Sequence, residues 1–245
     1  IDIAGPGFIN FTLMPACWYE VLNEITIKGE KYGFSTYGQG RRVQVEFVSA
    51  NPTGPLHIGH GRGAAVGDAV ASILCAAGFE VQREYYVNDA GNQVATLGRS
   101  IWMRLREQNG ETVDFPEDGY QGEYIRELAE ALHKEDPGVV GLDENNAVKR
   151  CTSFGVSKVL DWIAADLKDF GIVFDNWVSE QSLYDRGMVD LELAKLSDKG
   201  LSYQRDEALW LRTTDYGDDK DRVLINSDGS PTYFASDVAY HMEKF

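Results

Sequence analysis

The chain has 245 residues, 43% of them apolar, enough for one large domain or two small ones around a real core. No apolar run approaches the ~18 residues of a membrane span, and no basic segment followed by an apolar stretch marks a secretory signal. With 23 Lys+Arg against 39 Asp+Glu, the net charge of −16 repels a phosphate backbone and makes the chain a poor general nucleic-acid binder. Cys17, Cys75 and Cys151 are far apart and in no C-x-x-C pair, which argues against a disulfide framework or a Cys-rich zinc site and for a reducing cytoplasm. Cys75 and Cys151 lie in apolar helical runs and read as core residues. The start at Ile1 rather than Met leads us to expect a fragment or a domain boundary.

In chain order, Ile1 to Leu13 alternates apolar residues with Gly and Pro and reads as strand and loop. Pro15 to Ile27 reads as a short helix, and the Gly- and Ser-rich Lys31 to Arg42 as a linker. Val43 to Val48 is a strand by its alternation, and Ser49 to Leu56 a turn segment. A helix follows from Ile58 to Ala77, closed by Gly78, and then a strand from Glu80 to Val87. Strand, turn, helix, strand is a βαβ unit, hence a parallel sheet with a right-handed crossover. Helices are expected at Ala95 to Glu107, Tyr120 to Lys134, Asn145 to Phe170 and Met188 to Lys199. Leu201 to Thr213 reads as a hairpin and Asp215 to Asp221 as an acidic loop. Arg222 to Phe234 reads as a second hairpin around Asp228-Gly229, with Ser236 capping a final helix.

The segment that carries chemistry is Asn51-Pro-Thr-Gly-Pro55-Leu-His57-Ile-Gly59-His60-Gly61. It sits at a strand-to-helix junction, where open α/β sheets bind ligands and where free N–H groups and the helix dipole favour a phosphate. Gly59, Gly61 and Gly63 each cost ~1 kcal/mol relative to Ala in a helix, a cost that close approach of a nucleotide explains. His57 and His60 are i, i+3 and each can donate to negative charge developing on a phosphoryl group. A lone H-x-x-H would more often be a surface helix start or a zinc pair; the whole run P-T-G-P-L-H-I-G-H after a strand argues otherwise.

His57-Ile58-Gly59-His60 resembles the HIGH signature of class I aminoacyl-tRNA synthetases. Val45 to Gly63 (VEFVSANPTGPLHIGHGRG) resembles, more specifically, the bacterial-type arginyl-tRNA synthetases. The likeness continues through Tyr86 to Gln93, Leu209 to Leu224 and Ser227 to His241, and Ala4 to Phe11 resembles the end of that family's N-terminal appended domain. The resemblance implies an α/β fold: the first half of a Rossmann-like class I nucleotide-binding fold with a large α+β insertion. It divides the chain into an N-terminal remnant and linker (1–30), the first half of the catalytic domain (31–114), a connective insertion (115–221) and the start of the second half (222–245).

The same resemblance implies ATP contacts by Pro55, His57, Gly59, His60 and Gly61, with His57 and His60 catalytic. It implies arginine contacts by Glu46, Ser49, Asn51, Tyr233 and Asp237, with Asp237 on the guanidinium. Asp89, Gly91 and Gln93 would border the amino-acid site or the tRNA end. On pattern alone Glu46 reads as an outward-facing strand residue, Asp237 as a first-turn helix acid and Asp89 to Gly91 as a plain turn. Chemically, a planar guanidinium with five donors needs sheltered carboxylates. Glutamyl-type synthetases share the P-T-G-x-L-H-I-G run but carry an arginine shortly before it; here that stretch is Glu46-Phe47-Val48-Ser49, with no cation.

The implied partners are L-arginine, Mg·ATP with the metal held through the nucleotide, and tRNA(Arg), the last mainly through domains outside this chain. No metal site is expected in the chain, the cysteine usage points to the cytoplasm, and a monomer is expected for the full-length protein. The resemblance further implies that arginine is activated well only with tRNA bound. A nucleotidylyltransferase and a non-catalytic binding module are the rival readings; arginine-dependent pyrophosphate exchange separates the first from a synthetase, and a parent reading frame that continues past Phe245 into a lysine loop and a helical domain separates the second. The sequence holds no KMSK-like lysine loop and no helical anticodon-binding region. The chain alone is therefore expected not to charge tRNA, and charging by a 245-residue preparation would refute that expectation.

Overall fold

A computed structural model describes residues 1–244. By packing, the chain falls into two units, residues 1–43 with 69–81 and residues 44–68 with 82–245. The first unit opens with β1 (Asp2–Ala4) and β2 (Phe8–Asn10), an antiparallel pair. Helix α1 (Pro15–Lys28) starts on a proline, whose fixed φ suits the first helical turn, and buries none of its side chains. A 3-10 turn at Gly29–Lys31 leads into the linker. Strand β3 (Arg42–Glu46), helix α2 (Ile58–Ala76) and strand β4 (Glu80–Val87) form the expected βαβ unit. Helix α2 ends as the sequence suggests. Gly78 takes φ +88°, its N–H bonds Cys75 O at 2.9 Å, and Phe79 N–H bonds Leu74 O at 3.1 Å. That is the paired-bond left-handed cap that glycine alone adopts without strain. Cys75 is only half-buried, a correction to its reading as core; Cys151 is fully buried, and burial pushes its thiol up to about 12.

The second unit continues with α3 (Asn92–Gln108), α4 (Glu123–Glu135) and α5 (Glu144–Asp169). Then come β5 (Asn176–Ser179), α6 (Glu180–Asp185) and α7 (Met188–Asp198). Strands β6 (Ser202–Arg205), β7 (Ala208–Leu211) and β8 (Arg222–Ile225) precede α8 (Tyr233–Lys244). The central sheet has the order β3-β4-β5, with β4 and β5 parallel and Glu84 opposite Asn176. β3 runs the same way: its backbone bonds advance from Arg41–Glu80 at one end to Phe47–Glu84 at the other. Alternation along the strands sorts the side chains onto two faces. Phe47, Tyr85 and Val87 enter a core built with α3, α4 and α5, in which Tyr85 stacks on Trp177 at 4.2 Å. The opposite face carries Gln44, Glu46, Gln82 and Glu84, joined by side-chain hydrogen bonds from Gln44 to Gln82 and Glu84. A smaller core joins α6, α7, β8 and α8 through Leu183, Val189, Leu193, Leu224, Ala235 and Ala239. No helix among the described residues is long and apolar enough to cross a membrane.

Four expectations are corrected. Strand β5 and helix α6 were not anticipated: four residues, Asn-Trp-Val-Ser, show no alternation to read. Helix α3 begins at Asn92, three residues earlier than expected, so Gln93 is a helix residue. The hairpin at Arg222 to Phe234 is a single strand, β8, antiparallel to β7; its return arm is one bridge, Ile225 to Pro231. Proline brings no N–H to extend a ladder. Finally, α8 starts at Tyr233, so Ser236 is not its cap but a buried first-turn residue whose hydroxyl donates to Tyr233 O at 2.9 Å. The first hairpin is present as expected, turning on Asp206 and Glu207, both at positive φ as a two-residue turn of this hand requires.

Helices α3 and α5 cross where neither has a side chain in the way. A Cβ on Gly98 would stand 1.9 Å from Thr152 Oγ1 and 2.9 Å from the Val148 carbonyl, and one on Gly155 2.5 Å from Ile101 Cδ1. Gly98→Ala is expected to destabilise the protein by about 1–3 kcal/mol through overpacking, read as a lower urea midpoint. An unchanged midpoint would show that the crossing has slack.

Candidate active site

The site forms where β3 and β4 end. The chain leaves β3 through a strained turn: Val48 takes φ +65° and Ser49 φ +41°, and Ser49 N–H bonds Phe47 O at 2.9 Å across a three-residue γ-turn. A β-branched residue at positive φ costs of order 1–3 kcal/mol and persists only when its surroundings impose it. Here Ser49 Oγ accepts from Tyr86 N–H at 3.1 Å, and Tyr85 donates to Ala50 O at 3.0 Å. Further on, Tyr124 of α4 donates to Thr53 O at 2.8 Å, fixing the Pro-Thr-Gly turn from the other side.

The histidine pair heads α2. Their rings stack at 3.7 Å. His57 Nδ1 accepts from Gly59 N–H at 3.1 Å and His60 Nδ1 from His57 N–H at 3.2 Å. Both imidazoles thus bond helix-start donors with one nitrogen and leave Nε2 on the far side of the ring. Burial, and then the neighbouring His57, push the His60 pKa below its ordinary value. Gly61 and Gly63 face open space, since an added Cβ would meet nothing within 4 Å. Packing therefore does not explain these two glycines. Gly67 is different: a Cβ there would strike the Phe47 ring at 2.2 Å, so it serves helix-to-strand packing.

The candidate amino-acid residues gather on the polar face. Ser49 Oγ donates to Glu46 Oε1 at 3.3 Å, and Asn51 Nδ2 donates to Gln93 Oε1 at 2.6 Å. Glu46 sits with Gln44 on the polar side of β3, as the alternation allowed, but it is not simply solvated. Its Oε2 accepts from Tyr240 at 2.9 Å and from Lys244 at 3.2 Å, both on α8. Asp237 is half-buried on α8. Burial raises its carboxyl pKa, His241 pulls it back, and Glu46 pushes it further up. Tyr233 stands one helical turn before Asp237 and is 73% exposed. Asp89 is engaged at the start of α6, accepting from Ser179 Oγ at 2.7 Å and from Gln181 N–H at 2.8 Å. Gly91 takes φ +81° just before α3.

Sequence reasoning missed Glu180, the first residue of α6. It is 8% exposed, and its pKa is raised by burial against a hydrogen bond from Ser236, with Asp237 and Asp89 raising it further. Tyr86, Tyr184 and Ser236 border the same spot, and burial raises both phenols. The only local signal was Ser179, whose side chain caps α6 by accepting from Ser182 N–H at 3.1 Å. Asp237 thus acts on Glu180 and Glu46 on Asp237, each raising its neighbour's pKa, while Glu46 itself is exposed and paired with Lys244. Among the described residues no group of three or more His, Cys, Asp or Glu is placed to hold a metal ion.

Residues 21–245 match the family described as tRNA synthetases class I (R), catalytic domain. The chain is 61% identical over its whole length to an arginine–tRNA ligase of Syntrophotalea carbinolica and 55% identical to that of Citrifermentans bemidjiense. It spans 44% of the length of each of these curated relatives. A Campylobacter jejuni structure, provisionally named an arginyl-tRNA synthetase, superposes with a TM-score of 0.85 at 37% identity, over 95% of this chain and 51% of that one. The arginyl-tRNA synthetase of Thermus thermophilus superposes at 0.58 and 27% identity, over 82% of this chain and 35% of that one. The chain belongs to the class I arginyl-tRNA synthetase catalytic-domain family.

Proposed function

We propose that the chain supplies the ATP- and arginine-binding part of an arginine–tRNA ligase, and that the full-length protein carries out the reaction. The observation that carries this reading is the charge coupling of three carboxylates, Glu180 with Asp237 and Asp237 with Glu46, the first two raised in pKa by burial. We read them as the walls of one arginine pocket, where ionisation is costly until a cation arrives. A guanidinium is always charged and offers five donors in a plane, so it relieves several carboxylates at once. Tyr233 flanks the pocket from α8, and Ser49 and Asn51 stand toward the α2 junction, where the reacting carboxylate belongs.

The residues at α2 fit a triphosphate. Open space at Gly61 and Gly63 admits it, Pro55 and Gly59 shape the approach, and the Nε2 atoms of His57 and His60 point away from the helix backbone as donors. ATP brings Mg2+ with it. The arginine carboxylate attacks the α-phosphorus, pyrophosphate leaves, and the arginyl group of the adenylate then passes to the terminal ribose of tRNA(Arg). Neither step needs a covalent enzyme intermediate. The protein positions the reactants and stabilises charge that develops in the transition state. The acidic chain leaves most tRNA affinity to other parts of the protein, with Asp89, Gly91 and Gln93 bordering the amino-acid site or the tRNA end.

We further propose the division into an N-terminal remnant (1–30), a first catalytic half (31–114), an insertion (115–221) and the start of the second half (222–245). A monomeric protein working in the cytoplasm completes the reading.

In the full-length protein with tRNA present, pyrophosphate exchange should depend on arginine. Asp237→Asn should raise the arginine KM by roughly 30- to 5,000-fold, the cost of about 2–5 kcal/mol for removing one member of a buried charge pair. His60→Ala should lower kcat by about 10²–10³. Exchange driven by another amino acid, or an unchanged KM in Asp237→Asn, would overturn the assignment.

The pocket also predicts a stability effect. Glu180 titrates above its unfolded value, so folding favours its protonated form, and stability falls as pH rises through the folded pKa. Glu180→Gln should therefore raise the urea midpoint of the ligand-free protein at pH 7. That gain should vanish at pH 3–4, where the wild-type carboxyl is protonated in both states. A variant less stable than wild type at pH 7 would contradict this.

A further inference from the structure

Glu84 is buried to 2% exposure in the middle of β4, a place where a lone carboxylate is costly. It lies on the same sheet face as Glu46 of the neighbouring strand β3, and two like charges side by side on adjacent strands repel. Two side chains of α8 resolve both problems. Lys244 Nζ stands 2.9 Å from Glu84 and 3.2 Å from Glu46. The Tyr240 hydroxyl is within hydrogen-bond distance of both carboxylates. Gln44 and Asn176 add amide donors to Glu84 at 2.9 and 2.7 Å. Burial raises the Glu84 pKa, but hydrogen bonds from Tyr240, Lys244 and Asn176 together outweigh it and hold the carboxyl below its ordinary value. Glu84 is thus a charged, saturated acceptor, with about four donors for its four lone-pair directions.

The spacing on α8 gives this network its consequence. Tyr233, Asp237, Tyr240 and Lys244 follow one another at i, i+4, i+7 and i+11, one face of the helix. The half of that face nearer the helix start carries Tyr233 and Asp237, the proposed arginine contacts, and the other half is bonded to the sheet through Glu84 and Glu46. We propose that Glu84, Tyr240 and Lys244 are positioning residues for amino-acid binding. They fix the rotation and height of α8, and through it Asp237, while holding Glu46 in place beside the pocket. This inference rests on the reading of that pocket as the arginine site. Tyr240 shares one proton between two acceptors, so it couples the two strands to the helix in a way that an apolar contact of the same size does not.

The test is steady-state pyrophosphate exchange by the full-length protein with tRNA, with arginine and ATP varied separately. Tyr240→Phe keeps the ring and removes only the shared hydroxyl. Tyr240→Phe and Glu84→Gln should each raise the arginine KM at least 10-fold and leave the ATP KM within 2-fold. Lys244→Met should do the same, and Lys244→Arg should restore most of the loss. A merely structural role would lower the fraction of active enzyme, and so the apparent kcat, without moving the arginine KM. Folded Tyr240→Phe protein with an unchanged arginine KM overturns the proposal, as does an equal rise in both KM values. A wild-type protein that does not use arginine removes the reading beneath it, an outcome distinct from wild-type activity with silent variants.

Discussion

The site depends on the γ-turn at the end of β3. Val48 and Ser49 sit at positive φ, a conformation that neither residue type prefers and that glycine would adopt freely. The sheet imposes it: Tyr86 N–H takes the Ser49 hydroxyl as acceptor, and Tyr85 takes the Ala50 carbonyl. The turn swings the chain out of the strand before the Pro-Thr-Gly segment, so that α2 starts beyond the carboxyl edge with its two imidazoles at the helix head. The strain lies at the strand-to-helix junction, the place where open α/β sheets bind ligands, and is held by β4, the next strand of the same βαβ unit. This is how a small store of backbone energy can be kept at a working site.

Electrostatics supply the second constraint. Most of the excess acid is exposed and serves solubility. The carboxylates that matter are the few that burial makes awkward. They divide into two sets, one on the polar sheet face and one on the helices α6 and α8. Glu84 is satisfied by the protein itself, through Lys244, Tyr240, Gln44 and Asn176. Among the described residues Glu180 and Asp237 have no such cation: burial raises both pKa values, against hydrogen bonds from Ser236 and Tyr86 at Glu180 and the pull of His241 at Asp237. Glu46 lies between the two sets, bonded to α8 on one side and to Ser49 on the other.

Much of this was legible in the sequence, for identifiable reasons. Helix α2, its glycine cap and strand β4 follow from long periodic runs with clear stops, and the histidine motif stands out because its residues are unusual for a helix start. What escaped notice was short or non-local. Strand β5 has four residues, and its strand character comes from pairing with β4 rather than from its own pattern. Glu180 looked like one acid among 39, and only the fold brings it to Ser236 and Asp237. The polar alternation of β3 correctly put Gln44 and Glu46 on one face but could not show that α8 would cover it. Ser236 read as a cap because Ser at a helix start usually is one; the helix simply begins three residues earlier.

The central claim is that the Glu46, Glu180 and Asp237 pocket takes a guanidinium. Calorimetry of L-arginine against L-citrulline, which has the same shape but no charge, tests it most directly when run over a series of acidic to neutral pH values in two buffers of different ionisation enthalpy. The account predicts that arginine binds far more tightly, by at least ~10³-fold given unpaired buried acceptors. It also predicts that protons are released on binding, because the arriving cation draws the raised carboxyl pKa values down. Equal affinity for the two ligands, or arginine binding with no proton release, would contradict it.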